Sequence, residues 1–449
     1  MTRNFLQMFF KGALIISAAS MILAGCAKDG NDGIGLVGPA GANGKDAIVT
    51  CKLCHNPSVV DSVATQFQLS KHEFGEAADG EAGNTACAPC HEQEGFKYVC
   101  NMNIPATFAK VGTDTTYTNL YMTTATTAYG KLGCFTCHSS LHTSYGYADF
   151  TPLTTVAPVP MTMWAGAKTI NLTQDGGKSN LCVKCHQPRP FTKSNTGQDK
   201  NVLNYAQLVS LPNDTFYSPT RSNILNVLKP SYRTHTHYGT VGAIFAGKGG
   251  VEFGTQPYPQ SIHSTAASCQ NCHMAPMTGA AGGHSFKAKG NFNGCNNATC
   301  HKVGQSSGLM SASNADFVSD QSGIKALLTA IASKLKINGV EILNRNGDAT
   351  TNLWYSLTAN HYDGYLNIYD PVNNPTGSTY NTTMFKNPST TGFTAAQITT
   401  NNSLPAISLT NAQMGAIINF QLCLREYSLG VHNYKYTNAL LTNTLAILP

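Results

Sequence analysis

Cys182-Val183-Lys184-Cys185-His186 is a C-x-x-C-H run. The same pattern returns at Cys51-Lys52-Leu53-Cys54-His55, Cys87-Ala88-Pro89-Cys90-His91, Cys134-Phe135-Thr136-Cys137-His138 and Cys269-Gln270-Asn271-Cys272-His273. A looser sixth copy, Cys295-Asn296-Asn297-Ala298-Thr299-Cys300-His301, places four residues between its cysteines. The chain has 15 cysteines and 14 histidines in 449 residues. Random placement would give about 0.016 strict copies, so composition alone does not account for five. A C-x-x-C can also be a zinc knuckle or a redox dithiol. Zinc needs a second ligand pair at fixed spacing, and none recurs here. A histidine directly after the second cysteine is instead the pattern for covalent attachment of c-type haem. Two thiols bond the macrocycle, and one imidazole reaches the iron from one face.

Six c-type haems are therefore expected. Their thiols come from Cys51, Cys54, Cys87, Cys90, Cys134, Cys137, Cys182, Cys185, Cys269, Cys272, Cys295 and Cys300. Their proximal ligands are His55, His91, His138, His186, His273 and His301. Residues 26–449 leave about 71 residues for each haem, so much of the interior should be porphyrin. The expected fold is a multihaem cytochrome c, mainly irregular loops and short helices wrapped around a haem stack. A small C-terminal α-helical cap and little β-sheet complete it.

The formal charge is +6, from 29 basic and 23 acidic residues. Without Arg3 and Lys11, which lie in the leader, the balance is 27 against 23, or +4. Haem propionates and ferric irons would bring it to about −2 oxidised and about −8 reduced. Nucleic acid is therefore not an expected partner.

Residues 1–25 read as a lipoprotein signal peptide. Arg3 and Lys11 form its basic region, and Gly12–Leu23 is apolar but too short to span a bilayer comfortably. Leu23-Ala24-Gly25-Cys26 looks like a bacterial lipobox, which implies cleavage before Cys26 and lipid on its sulfur. The other reading is an ordinary signal peptide followed by a free cysteine. Ala27 after Cys26, in place of an Asp, favours the outer membrane. Residues 26–48 form a Gly-rich tether with Gly35, Gly38, Gly41 and Gly44 on a period of three. The run is collagen-like but too short for a stable triple helix.

Residues 49–303 hold all six motifs, and residues 304–449 hold none. Motif starts are 26 to 87 residues apart, so there is no tidy repeat. The long gap between the fourth and fifth motifs is rich in Asn, Ser, Thr and Tyr and reads as extended loop. In the C-terminal segment, Ile324, Leu327, Leu328, Ile331 and Leu335 predict a helix from Ser322 to Ile337, stopped by Asn338-Gly339. Residues 345–405 read as loop. A second helix is predicted from Thr410 to Tyr427, with Thr410 as N-cap, and a third from Asn433 to Leu448. These helices are expected to form a cap that supplies distal ligands.

Eight histidines remain: His72, His142, His235, His237, His263, His284, His361 and His432. They are enough to close the second face of all six irons, and that choice separates an electron wire from a catalyst. His72, His142, His237, His263, His284 and His432 are the candidate distal ligands. His142, four residues after His138, cannot easily swing to the far face of its own haem and would serve a neighbour. The same logic applies to His263 and His284, which stand shortly before Cys269 and Cys295. His235 and His237 point the same way in extended chain, so one of the two is expected to ligate. Met274 and Met277 are rival ligands near His273. Cys100 and Cys423 are left over, either to pair and tie the cap to the haem region or to remain two separate thiols.

Motifs, lipobox and tether together resemble the multihaem c-type cytochrome lipoproteins of the outer surface of metal-reducing bacteria. The tail is similar to their C-terminal helix pair, from Asn411 through Arg425-Glu426-Tyr427-Ser428 to Gly430-Val431-His432-Asn433 and Lys435-Tyr436. In that resemblance His432 stands as a distal ligand. Tyr238-Gly239 after His237, and Gly283-His284-Ser285-Phe286, look like distal-ligand contexts.

The expected function is electron transfer through six haems, from periplasm or outer membrane to an extracellular acceptor: a metal oxide, another cytochrome or a shuttle. Redox partner proteins, a lipid anchor at Cys26, and a homo-oligomer or filament are the implied partnerships. The rival is a reductase of nitrite, hydroxylamine or sulfur oxyanions with one open haem. Reductases resembling this often carry Lys in place of a motif histidine, whereas all six motifs here end in His. A third reading is the subunit of a conducting filament, in which a histidine would reach a haem of the next subunit.

Overall fold

A computed structural model describes residues 57–74, 81–83, 87–101, 107–111, 114–118, 130–138, 153–164, 166–191, 200–218, 230, 234–254, 257–337, 340–346, 361–366 and 407–449. The chain forms two compact units, Met1–Val60 and Asp61–Pro449. Only residues 57–60 of the first are described, as the opening turn of the Pro57–Gln68 helix. Cys26, the tether, the Cys51–His55 motif and His142 lie outside the described residues.

The largest apolar core is built by three C-terminal helices, Ala315–Lys334, Asn411–Arg425 and Tyr434–Ile447. The first starts seven residues before the expected Ser322. Asn314 accepts hydrogen bonds through its side chain from the amides of Asp316 and Phe317, and Asp316 adds negative charge at the positive helix end. It ends at Lys334 rather than at Ile337. Lys336–Ile337 and Val340–Glu341 pair as a small antiparallel ladder, which takes Lys336 and Ile337 out of the helix. Thr410 caps the second helix by accepting from the Gln413 amide, while the Gln413 side chain accepts from the Thr410 amide. Asn433 caps the third.

This core does not stop at residue 304. Ile417, Phe420, Leu440 and Leu441 pack in one cluster with Met163, Phe191, Leu208, Phe216, Val251 and Phe253. Two buried side chains bridge the halves. Asn419 accepts from the Val251 amide at 2.7 Å and donates to the Val251 carbonyl and to Thr444 Oγ1, each at 2.8 Å. Gln421 donates to the Thr234 and Gly364 carbonyls. The expected loop between the fourth and fifth motifs is accordingly more regular than its composition implies. It contains helices Tyr205–Ser210 and Val241–Phe245 and strands Lys200–Val202 and Thr215–Tyr217. Long-range contacts impose this order, since Thr215–Tyr217 pairs with Leu409–Thr410. Within the segment expected to be loop from 345, Leu343–Asn346 pairs with His361–Leu366. Among the described residues every sheet has only two or three strands.

The motif-bearing regions are built differently. Among the described residues before 159, the fully buried apolar side chains are Ala82, Cys87, Ala88 and Phe96. Between 254 and 323 there is only Ala275. That is too little apolar burial to offset the entropy of ordering those segments.

Candidate functional site

Each described strict motif folds as a short helical turn: Ala88–His91 with Cys87 at its cap, Cys134–Cys137, the end of Lys178–Cys185, and Cys269–His273. A turn of helix puts residues i, i+3 and i+4 on one face, so two thiols and an imidazole emerge together. The turn closes through the histidine amide, which donates to the first cysteine's carbonyl: His91 to Cys87 at 3.0 Å, His138 to Cys134 at 3.0 Å and His186 to Cys182 at 2.9 Å. The four-residue variant makes the same closure, His301 amide to Cys295 carbonyl at 3.0 Å. Its extra residues are folded aside around Asn297, whose Oδ1 accepts from Thr299 N, Thr299 Oγ1 and Cys300 N. The histidine therefore keeps the same relation to the first cysteine despite the longer spacing. All twelve described cysteines are free thiols. Cys100 and Cys423 are among them, so the pairing considered for these two is not made. Cys423 is sealed inside the Asn411–Arg425 helix core, whereas Cys100 lies in reach of the charges of Cys90 and Cys137.

The spare histidines come to these motifs from elsewhere in the chain. His237 meets His91, with ring centroids 6.1 Å apart. His72 meets His186 at 6.0 Å, His263 meets His301 at 6.1 Å, and His432 meets His273 at 6.1 Å. His138 acts electrostatically on His284. Two imidazoles bound to opposite faces of one metal ion through bonds of about 2.0–2.1 Å have centroids roughly 6.3 Å apart. Neither His263 nor His284 pairs with the motif histidine it precedes in sequence. His284 is held by its amide donating to Gln66 Oε1 at 3.0 Å.

The ring nitrogens are oriented. His186 Nδ1 donates to the Gly239 carbonyl, His263 Nδ1 to Val431 and His273 Nδ1 to Phe286. A carbonyl only accepts, so Nδ1 carries the proton and Nε2 keeps its lone pair. His301 Nδ1 lies 3.0 Å from Ser307 Oγ. His432 Nδ1 lies 2.5 Å from Glu426 Oε2. Burial first, and neighbouring positive groups second, together lower the pKa of His72 to about 4, of His273 to about 4 and of His237 to about 3. Burial also lowers His186, His284 and His301. These rings are neutral near pH 7 and have a nitrogen available for a metal.

Of the adjacent pair, His237 is the residue that faces His91, while His235 Nδ1 accepts from the His237 amide at 2.9 Å. His237 sits at φ 86, a left-handed conformation that costs energy for a side-chain-bearing residue. His361 stands in the ladder opposite Asn346.

The motifs also lie side by side. Cys90 Sγ and Cys185 Sγ each reach a carbonyl of the other motif at 3.8 Å. The thiols of Cys182 and Cys269 hydrogen-bond, and the Cys269 amide donates to Ser179 Oγ at 3.0 Å. Cys272 senses the charge of Cys295, and Gly294 packs against the Asn271 carbonyl. The second, fourth, fifth and sixth motifs thus form a continuous run. The third lies beside the second and fourth, with Thr136 Oγ1 against Gln93 Oε1 and Cys137 acting on Cys182 and Cys185.

These residues fit a c-type haem at each described motif. At four of them a histidine pair has the spacing of two axial ligands, and each motif carries free thiols on the same turn. Phe74, Phe135, Tyr238, Ile262 and Val303 are exposed apolar side chains within a motif or within two residues of a motif or spare histidine. No group of three or more His, Cys, Asp or Glu suited to a bare metal ion occurs among the described residues. A porphyrin supplies four of its iron's ligands, so two from the chain suffice. No helix among the described residues is long and apolar enough to cross a membrane.

The motif spacing makes the cysteines and the histidines that follow them legible. The carbonyls of Gly239, Phe286 and Val431, and the carboxylate of Glu426, carry no local signal. They become visible only when the chain is folded. Comparison with family models finds no match, and comparisons with curated proteins and with solved structures find none either.

Proposed function

We propose that the protein is an electron carrier holding six c-type haems, five of them at the described motifs. The observation that carries this is the meeting of motif and spare histidines, four pairs at 6.0–6.1 Å, each joining distant parts of the chain. Bound haem supplies one-electron exchange between ferric and ferrous iron.

The chain's own contribution is fourfold. Its thiols anchor the group. Its histidine pairs close both faces, which leaves no position for a substrate at the four measured pairs. Burial keeps the imidazoles of His72, His186, His237 and His273 neutral. The continuous run of motifs keeps neighbouring sites close, as stepwise transfer requires.

The lipobox at Cys26 supports an outer-membrane, surface-facing location with a lipid anchor. An extracellular acceptor follows from that location: a metal oxide, another cytochrome or a soluble shuttle. Cys26→Ser is expected to move the protein from the membrane pellet to the soluble fraction, and unchanged pelleting would remove the anchor.

The deciding experiment is the electron paramagnetic resonance spectrum of the oxidised protein, with haem counted on the same sample. Six haems, all low-spin, are expected. About one high-spin haem in six would instead mean an open iron and turn attention to reductase chemistry.

A further inference from the structure

Resting on the electron-carrier reading, we infer that Glu426 is a positioning residue that acts through His432 and lowers the redox potential of the fifth motif. The distinction lies in what Nδ1 of His432 meets, set against four other candidate ligands. His186, His263 and His273 donate to neutral backbone carbonyls, and His301 faces a serine hydroxyl. His432 meets a carboxylate oxygen at 2.5 Å, the short distance of a charge-assisted hydrogen bond.

The carboxylate is built into place. The Glu426 side chain has no exposed surface. It accepts from the Ser428 amide at 3.0 Å, from Ser428 Oγ at 2.7 Å and from the Gly430 amide at 3.4 Å, besides His432. With every neighbour donating, both oxygens act as acceptors, as in an ionised carboxylate.

Reaching this arrangement strains the backbone. Between Glu426 and His432, Tyr427 (φ 65), Leu429 (φ 54) and Gly430 (φ 98) all take left-handed conformations. Two of these three bear side chains, a cost tolerated where surrounding structure enforces it. A Cβ at Gly430 would fit tightly, 3.1 Å from Ile324 Cγ1, besides the strain of its positive φ. The winding turns His432 back over the end of its own preceding helix, with Glu426 behind it. Asn433 locks the next residue by accepting from the Ser261 amide at 2.9 Å and donating to Gln260 Oε1 at 2.6 Å.

A negative charge behind an axial imidazole makes it a stronger electron donor and favours the more positive state of the iron. The ferric form is stabilised over the ferrous form, and the potential falls. The fifth motif lies between the fourth and the sixth in the run. A lowered potential there adds an uphill step within the path.

The test is a spectroelectrochemical titration of the haem-loaded protein and of Glu426→Gln, which keeps the size of the side chain and removes its charge. One of six potentials is expected to move upward with the haem count unchanged, and Glu426→Asp is expected to bring it back down. Ser428→Ala removes a donor from the same carboxylate, leaves more of its charge for His432, and is expected to move that potential the opposite way. The low-spin signal of the same haem should shift in both variants. Six unmoved potentials in Glu426→Gln, or in Ser428→Ala if the first variant does not mature, would overturn the inference. Wild-type protein carrying no haem would overturn the electron-carrier reading itself, which is a different result.

Discussion

The imidazoles of His273 and His432 lie nearly parallel, 10° apart in plane, although one belongs to the fifth motif and the other to the turn before the last helix. The other three measured pairs are close to perpendicular: 77° for His91 and His237, 74° for His72 and His186, 67° for His263 and His301. The ring planes are fixed by Nδ1 partners on the two sides. The Phe286 carbonyl orients His273, and Glu426 orients His432.

Ring planes give a spectroscopic prediction. Parallel axial imidazoles split the iron d orbitals rhombically, whereas perpendicular ones leave a large-gmax signal. The oxidised protein should show both kinds, with the perpendicular kind in excess. Loss of the rhombic component in His432→Met would assign it. A spectrum with no large-gmax intensity would contradict the three perpendicular pairs.

Removing a distal imidazole should open one iron and leave the thioether bonds intact. His237→Ala and His72→Ala are each expected to convert about one haem in six to high spin, with the haem count unchanged. His235→Ala should leave the spin state alone, because His237 is the residue that faces His91. High-spin signal in His235→Ala and none in His237→Ala would reverse the assignment.

The shared core predicts that a C-terminal substitution destabilises the whole second unit. Asn419→Ala strands the amide and carbonyl of Val251 and the hydroxyl of Thr444 in a dry core. The cost should be about 3 kcal/mol. Gly415→Ala places a Cβ against the Phe253 ring and should cost about 1–3 kcal/mol. Denaturant midpoints of the haem-loaded protein measure both, and midpoints within error of wild type would show that the core does not bridge residue 304.

Acid should destabilise the fold through the buried histidines. The folded pKa values of about 4 for His72, about 4 for His273 and about 3 for His237 lie below the ordinary value of 6.5. An unfolded chain therefore takes up protons first as pH falls below about 6.5. Stability from these groups is fully present above that pH and is lost progressively toward pH 4. Iron ligation would lower the folded values further and keeps the same sign. The denaturant midpoint should be level from pH 7 to 8 and should fall below about 6.5. A midpoint that rises on acidification would remove the buried neutral histidines from the account.

The cysteine–histidine turns were legible in the sequence because their geometry is local. A helical turn brings i, i+3 and i+4 together whatever surrounds it, and even the C-x4-C-H variant preserves the closing bond from His301 to Cys295. The cap at Thr410 was equally local, whereas the start at Asn314 lay outside the apolar stripe from which the Ser322 helix was read. The run of motifs, the identity of each histidine pair, the order imposed on the long inter-motif gap and the carboxylate behind His432 required the tertiary structure. His263 and His284 illustrate why. Each stands a few residues before one motif and lies near the histidine of another, because a tethered imidazole cannot easily reach the far face beside its own anchor and must be supplied from elsewhere in the fold.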